Sequence, residues 1–199
     1  MLPNVGGTPE RLGILGGTFD PVHVGHVVAA VHVRAELHLD RVILVPAGDP
    51  WQKRGQVMAA PEQRFEMAGL ACAGIDGLEV SRAELDHPGP SVTADTLERL
   101  TTPDRELFLL LGADAVANMP TWRRLEETRD LATIAVLERA GEHAVPPGPG
   151  WRFEHVAVPR LDVSSSEIRR RMGAGLPIDG LTPPAVVDFI RDEGLYTLP

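Results

Sequence analysis

Residues 12–26 of the chain read LGILGGTFDPVHVGH, and this stretch decides the fold. A short apolar segment, Arg11–Leu15, predicts a strand that ends at Gly16 and Gly17. The apolar residues that follow, at spacings of three and four up to Ala35, predict a helix. A strand that turns through glycines into a helix brings backbone N–H groups and the positive helix end to one point, which suits a phosphate.

The glycines of this turn do not follow either of the common phosphate-binding patterns. Their spacing is not that of the dinucleotide fingerprint, and the segment is not a Walker A loop. His23 and His26 are therefore the candidates for holding the phosphate. We interpret Asp20, which precedes Pro21, either as the cap that begins the helix or as part of the phosphate loop with a link to Mg²⁺.

The composition predicts a cytoplasmic globular protein. The chain has 199 residues, 43% of them apolar and 24% charged, which suits one α/β domain with a proper core. A formal charge of −9 argues against binding to nucleic acids or anionic membranes. No apolar run reaches the length of a membrane span, and the N-terminus lacks a signal-peptide pattern. Cys72, the single cysteine, excludes an internal disulfide, and its apolar neighbours predict a buried thiol.

Strands and helices alternate along the sequence, which predicts a single Rossmann-like, doubly wound α/β domain with a mostly parallel sheet and helices on both faces. Residues 1–10 are interpreted as a flexible lead-in and residues 11–199 as the domain. SSSE at residues 164–167 predicts a capping box. Further strands are predicted at Arg41–Val45, Leu78–Leu85, Leu107–Leu111, Thr133–Leu137 and Trp151–Val158, and further helices at Pro61–Ala73, Ser91–Leu100, Thr121–Glu127, 164–173 and 183–193.

Polar residues follow the predicted strands where these end. Ligands of such sheets bind at the carboxyl ends of the strands, near the point where the strand order reverses. Cations, imidazoles, hydroxyls and helix starts bind phosphates, and the carboxylate of Asp114 suits ribose hydroxyls. The mixture therefore predicts a site for a nucleoside polyphosphate. The residues concerned are Gly16–Thr18, Lys53, Gly112, Asp114, Arg139 and Ser164.

Two motifs, GGTFDPVHVGH at residues 16–26 and VSSSEIR at residues 163–169, resemble those of the HxGH nucleotidyltransferase superfamily. Within it, the chain is most similar to the nicotinate mononucleotide adenylyltransferases. The resemblance extends over nearly the whole chain, through PWQK at 50–53, PSVTADTL at 90–97, Gly112, Asp114, Trp122, Arg139 with Gly141, and the tail 181–196.

The resemblance implies the transfer of the adenylyl group of ATP to nicotinate mononucleotide, which gives nicotinate adenine dinucleotide and pyrophosphate in NAD biosynthesis. The attacking phosphate monoester is mostly dianionic at neutral pH because its second pKa is about 6. Direct in-line attack then needs neither a general base nor a covalent intermediate, only the alignment of two anions and stabilisation of charge. We assign that stabilisation to His23, His26 and Arg169 as the catalytic residues.

The resemblance also implies where both substrates bind. ATP is expected to bring Mg²⁺ with it, without a dedicated metal site on the protein, and the helices at 164–173 and 183–193 complete its site. Trp122 is expected to stack on the pyridine ring, although a core position is the alternative. The ATP-binding residues are expected to be Gly16, Gly17, Thr18, Phe19, His23, His26, Gly112, Asp114, Arg139, Ser165, Ser166 and Arg169, and those for the mononucleotide Asp20, Lys53, Ser91, Thr93 and Trp122.

Four positions depart from the family pattern. Trp51 and Gln52 replace a common proline and histidine before Lys53, Val92 replaces a usual tyrosine, and Ala140 replaces a frequent proline. The loss of the tyrosine leaves the choice between nicotinate and nicotinamide mononucleotide open. The alternative functions are another adenylyl- or cytidylyltransferase of the superfamily, such as one acting on phosphopantetheine, and a nucleotide-binding module without turnover. The sequence leaves the oligomeric state open, a homo-oligomer included.

Overall fold

The computed structural model describes residues 8–50, 58–138, 145 and 148–197. Within these residues the chain forms six strands and seven α-helices, with a 3-10 helix at Met119–Thr121. The strands are β1 (Glu10–Gly17), β2 (Arg41–Pro46), β3 (Leu78–Val80), β4 (Arg105–Gly112), β5 (Ala132–Glu138) and β6 (Phe153–Ala157). The helices are α1 (Val24–Glu36), α2 (Pro61–Cys72), α3 (Thr93–Leu100), α4 (Ala113–Asn118), α5 (Leu125–Leu131), α6 (Ser165–Gly173) and α7 (Pro184–Asp192).

The strands form one sheet in the order β3-β2-β1-β4-β5-β6, and every neighbouring pair is parallel. The chain starts at the centre of the sheet, builds one half outward from β1, and then crosses back to β4 to build the other half. The strand order therefore reverses between β1 and β4, which is where doubly wound sheets bind their ligands. The prediction of a doubly wound α/β fold is confirmed.

Helices cover both faces of the sheet, as the apolar runs of the strands require. One buried apolar cluster contains side chains of α1, α2, α6 and α7, and a second contains side chains of α3 and α4, with residues of α5 packed against it. Gly13 permits β2 and the segment before it to pack closely against β1, since a Cβ there would lie 2.8 Å from the side chains of Leu39 and Val42. Cys72 is buried as predicted, and burial raises the pKa of its thiol to about 11. No helix in the described part of the chain is both long and apolar enough to cross a membrane.

Two predicted elements are placed differently. The strand predicted at Leu78–Leu85 ends at Val80, because Arg82 turns away from the sheet and binds the carboxylates of Glu62 and Asp86. The helix predicted at Thr121–Glu127 is a 3-10 turn followed by α5, which begins at Leu125. Arg124 separates the two because its φ of 56° lies in the left-handed region and cannot continue a helix.

The start of α1 also differs from the prediction. The helix begins at Val24, and its N-cap residue is His23, with extended backbone angles. Asp20 and Pro21 lie before it in a loop, joined by a cis peptide bond. The prediction that Asp20 caps this helix is therefore wrong. The loop 18–23 between β1 and α1, called the β1–α1 loop below, instead lies at the carboxyl end of the central strand.

Candidate active site

A cavity of about 560 Å³ opens at the carboxyl ends of β1, β4 and β5. The β1–α1 loop forms one wall, the start of α4 another, and the first turn of α6 with the segment before it a third. The structure brings together here all the described residues predicted to bind ATP. They are Gly16, Gly17, Thr18, Phe19, His23, His26, Gly112, Asp114, Ser165, Ser166 and Arg169. Arg139 lies outside the described residues.

His23 and His26 lie side by side at the start of α1. Their rings are stacked, with centroids 3.7 Å apart and planes inclined by 24°. Nδ1 of His26 accepts a hydrogen bond from the backbone N–H of His23 at 3.2 Å. In a neutral imidazole the proton of His26 then resides on Nε2, which makes that atom a hydrogen-bond donor. The buried ring of Phe19 supports His26 edge-on, with centroids 5.0 Å apart.

The β1–α1 loop is held by side chains from distant parts of the chain. Its backbone carbonyls accept hydrogen bonds from α2, from α6 and from the residue that precedes Pro183. The pairs are Thr18 with Arg64 (2.8 Å), Asp20 with Arg169 (2.7 Å), Pro21 with Ser165 (2.8 Å) and Val22 with Thr182 (2.8 Å). Because these side chains flank the loop from several sides, its backbone is fixed next to the cavity before any ligand binds.

The first turn of α6 places a hydroxyl and a guanidinium at the cavity. Ser164 caps the helix, since its Oγ accepts the N–H of Glu167 at 3.2 Å. Only this half of the predicted capping box forms, because the carboxylate of Glu167 binds Arg170 through two hydrogen bonds of 2.7 Å. Oγ of Ser166 accepts a hydrogen bond from Arg169 at 3.3 Å. Arg169 therefore reaches from α6 to the β1–α1 loop along the wall of the cavity.

The structure gives Asp20 a role that the sequence analysis did not include. Its side chain is 2% exposed, and its carboxylate accepts hydrogen bonds from the N–H groups of Met58 and Ala59 at 2.9 and 3.1 Å. The hydroxyl of Tyr196 donates a third at 2.7 Å, and a guanidinium nitrogen of Arg169 lies 3.8 Å away. Burial and the neighbouring Asp20 charge raise the pKa of Tyr196, so its hydroxyl stays protonated as a donor. Asp20 thus joins three segments of the chain, and both of its oxygens are engaged by protein groups.

A second cavity, of about 440 Å³, lies on the other side of the β1–α1 loop. Ser91, Thr93 and Trp122, three of the residues predicted to bind the mononucleotide, line it. Trp122 is half-buried, packs against the second apolar cluster and also forms part of the cavity wall, so both interpretations of this residue hold in part. Lys53 lies outside the described residues. The cavities share one rim, formed by Gly16, Gly17, Thr18, Asp114 and Ala115.

The sequence analysis missed two charged residues near this rim. Arg64 is 1% exposed, and burial lowers the pKa of its guanidinium although the charge of Asp20 opposes that shift. Its spacing of three, four and seven residues from Met67, Ala68 and Ala71, all buried, was a signal that it faces inward. Glu84 lines the second cavity, and its Oε1 accepts a hydrogen bond from Thr96 at 2.8 Å. No pattern in the sequence marks Glu84, since it lies in a turn where a strand was predicted.

Known proteins resemble the chain in sequence and in fold. The family model described as Cytidylyltransferase-like matches residues 14–171. The "probable nicotinate-nucleotide adenylyltransferase" of Roseiflexus sp. (strain RS-1) is 46% identical over 193 residues, which cover 93% of this chain and 97% of that protein. The protein of the same name from Frankia casuarinae is 46% identical over 186 residues, with coverages of 92% and 98%.

Among solved structures, Plasmodium falciparum nicotinic acid mononucleotide adenylyltransferase complexed with NaAD has the same fold. It matches with a TM-score of 0.78 at 18% identity, and the match covers 94% of this chain and 97% of that one. The family model spans most of the chain and includes the HxGH and SSSEIR motifs, which lie in two walls of the first cavity. The chain therefore belongs to the cytidylyltransferase-like family and, within it, to the nicotinate-nucleotide adenylyltransferases.

Proposed function

We propose that the protein transfers the adenylyl group of ATP to nicotinate mononucleotide, giving nicotinate adenine dinucleotide and pyrophosphate. The observation that carries this proposal is the common rim of the two cavities at Gly16–Thr18 and Asp114. A reaction between two nucleotides needs two pockets that meet where the phosphates react. ATP occupies the cavity with the histidines and Arg169, and the mononucleotide occupies the cavity with Trp122.

The chemistry at the rim is a direct displacement at the α-phosphorus. A phosphate oxygen of the mononucleotide forms a bond to the α-phosphorus of ATP, while the bond from that phosphorus to the pyrophosphate oxygen breaks. The nucleophile is mostly ionised at neutral pH, because its second pKa is about 6, so the protein needs no general base. Its task is to hold two anions in line and to stabilise the charge of the transition state.

The described residues of the first cavity suit that task. Nε2 of His26 is a donor toward phosphate oxygens, and Arg169 supplies a guanidinium from α6, in another wall of the same cavity. The hydroxyl of Ser165 is used by Pro21, so we assign its contribution to the backbone N–H at the start of α6. Asp114 lies at the start of α4 and lines the cavity, and we assign it to the ribose hydroxyls of ATP. Arg139 remains a prediction from the sequence.

Mg²⁺ accompanies ATP in this proposal. Among the described residues no group of three or more His, Cys, Asp and Glu could hold a metal ion, and both oxygens of Asp20 are engaged by protein groups. These residues fit an ion that is carried by phosphate oxygens and water rather than by a protein ligand set. When bound, the ion neutralises part of the charge that develops on the leaving pyrophosphate.

The second cavity suits a mononucleotide with an aromatic base. Trp122 offers a ring face for stacking, and the N-terminus of α3 at Thr93 offers backbone N–H groups to the carboxylate of nicotinate. Oγ of Ser91 is buried without a hydrogen-bond partner among the described residues, so it is available to the same carboxylate. Asp20 acts through the position of the β1–α1 loop, and Lys53 remains a sequence prediction for the mononucleotide phosphate.

Pyrophosphate release tests the proposal. The purified protein is incubated with MgATP and, separately, nicotinate mononucleotide, nicotinamide mononucleotide and phosphopantetheine. We expect release with nicotinate mononucleotide, less with nicotinamide mononucleotide and none with phosphopantetheine. Release with phosphopantetheine alone would favour the other nucleotidyltransferase activity. If no acceptor supports release while ATP still binds, the protein is a nucleotide-binding module and the proposal is wrong.

A further inference from the structure

The second cavity contains a carboxylate oxygen that no step of the proposed reaction uses. Oε1 of Glu84 accepts a hydrogen bond from Thr96, which is 3% exposed. Oε2 is shielded from solvent, and it has no hydrogen-bond partner among the described residues. A buried polar atom without a partner is costly, and in native proteins it commonly marks the place of a ligand or an ordered water.

The described ionisable side chains that line the second cavity are of one sign. Among the described residues that line the second cavity, the ionisable groups are Glu84 and Asp114, both acidic, and neither Arg, Lys nor His is present. The rest of the wall is mainly apolar and includes the indole of Trp122. Carboxylates and an aromatic face that line one cavity favour a flat cation, which gains from both the charge and the ring quadrupole.

Arg64 explains how an acidic group is retained at this position. Its buried guanidinium interacts electrostatically with Glu84 and donates a hydrogen bond to the carbonyl of Thr18. The charge of Glu84 is therefore partly compensated by Arg64, while Oε2 has no hydrogen-bond partner among the described residues. A ligand that brings a positive charge completes the compensation.

We propose that Glu84 is a specificity-determining residue that selects the positively charged, oxidised pyridine ring of the mononucleotide. This inference rests on the proposed function, and it specifies which redox form of the mononucleotide the protein accepts. The ring nitrogen of the oxidised mononucleotide carries a formal positive charge because it is bonded to the ribose. Glu84 supplies the counter-charge, Trp122 the stacking face, and Ser91 with the start of α3 binds the carboxylate of the ring.

The test compares two substrates that differ in ring charge. One is nicotinate mononucleotide, and the other is its 1,4-dihydropyridine form, which keeps the carboxylate, ribose and phosphate but has a neutral ring. The variant Glu84→Gln keeps the shape of the side chain and an acceptor for Thr96, and it removes the charge. We expect the wild type to prefer the oxidised form in kcat/KM, and Glu84→Gln to reduce that preference about tenfold, the effect of one partly desolvated charge pair.

The change is expected in the KM for the mononucleotide, with the KM for ATP unchanged, because Glu84 lines the second cavity and does not line the first. Glu106→Gln is the matched control. It removes the same charge from an exposed carboxylate on β4, at the opposite end of the sheet, and the preference should remain as in the wild type. Glu84→Asp keeps the charge and should retain most of the preference.

Each outcome decides a separate point. If Glu84→Gln folds and keeps the wild-type ratio, the inference is overturned. If Glu84→Gln does not fold, the affinities of the wild type for the two mononucleotides are measured by calorimetry, and equal affinities overturn the inference as well. If the wild type turns over neither mononucleotide, the proposed function itself has failed.

Discussion

We propose that His26 has two functions within one side chain, and substitutions can separate them. Its Nδ1 closes the first turn of α1 through the N–H of His23, and its Nε2 is a donor at the first cavity. We expect His26→Ala to reduce kcat about 10²- to 10³-fold, the usual cost of one preorganised donor to a developing charge. The loss of the turn contact should lower the free energy of unfolding by only about 1 kcal/mol. Pyrophosphate release and thermal unfolding measure the two effects.

The matched variant is His26→Gln. Glutamine is a common residue at the third position of a helix, where its side chain can accept the same N–H. This variant should regain the stability of the wild type and remain as inactive as His26→Ala. Activity in His26→Gln would show that the histidine serves the helix and does not stabilise the transition state.

Single residues are where the sequence was least informative. The histidines, Arg169 and the serines of α6 were found because they lie in motifs whose chemistry points to phosphate. Asp20 lies in the same motif, yet its partners are a hydroxyl 176 residues away and the N–H groups of Met58 and Ala59. Arg64 resembles an ordinary surface arginine until its helix face is considered. Such roles depend on long-range contacts, which spacing along the chain does not reveal.

At the scale of elements, Glu10 joins three strands at the end of the sheet opposite the site. Its carboxylate accepts hydrogen bonds from Arg41 on β2 at 2.6 Å and from Arg105 on β4 at 2.7 Å. Burial raises the pKa of Glu10, but the hydrogen bonds and charges of the two arginines outweigh it, so the pKa is lowered overall. Since Glu10 is partly buried, we expect Glu10→Gln to cost about 1 kcal/mol of unfolding free energy at neutral pH.

The pH dependence of this cost has a definite sign. A carboxyl whose pKa is lower in the folded state stabilises the fold above its unfolded pKa, which is about 4.3 for glutamate. The difference between wild type and Glu10→Gln should therefore be constant above about pH 5, and it should shrink as the pH falls through the lowered folded-state pKa. Urea unfolding at several pH values measures it. Glu106→Gln, whose carboxylate is 48% exposed, should show little difference at any pH.

The elements themselves were largely predictable, and the exceptions have local causes. Apolar runs such as those of β2 and β4 identify strands that are covered on both faces. β3 ends early because Arg82 pairs with acidic side chains, and α5 begins late because the backbone of Arg124 is left-handed. Apolar periodicity does not encode either. The candidate site was predictable as a set of motif residues, but the second cavity and its acidic wall required the three-dimensional arrangement.

At the scale of the whole molecule, segments that are far apart in the sequence meet beside the first cavity. The β1–α1 loop comes from the N-terminal part, and the side chains that hold its carbonyls at Pro21 and Val22 come from Ser165 and Thr182. Tyr196 completes this arrangement near the C-terminus through Asp20. The HxGH and SSSEIR motifs are therefore coupled by packing. A change at one end of the chain should be detectable in catalysis at the other.

Tyr196→Phe tests this coupling, because it removes only the hydroxyl that binds Asp20. The ring of Tyr196 is 6% exposed, and phenylalanine fills the same space, so no cavity forms. Loss of a buried donor to a carboxylate should cost about 1–3 kcal/mol, and each kcal/mol lowers the thermal midpoint of a chain this long by about 2–4 °C.

Because the carbonyl of Asp20 also holds Arg169, we further expect kcat of Tyr196→Phe to fall while the KM for the mononucleotide changes little. Thr197→Val removes a neighbouring exposed hydroxyl whose hydrogen bond, within the described part of the chain, goes to the carbonyl of Gly194, and it should change neither quantity. Equal stability and kcat in Tyr196→Phe and Thr197→Val would show that the C-terminal segment covers the loop without positioning it.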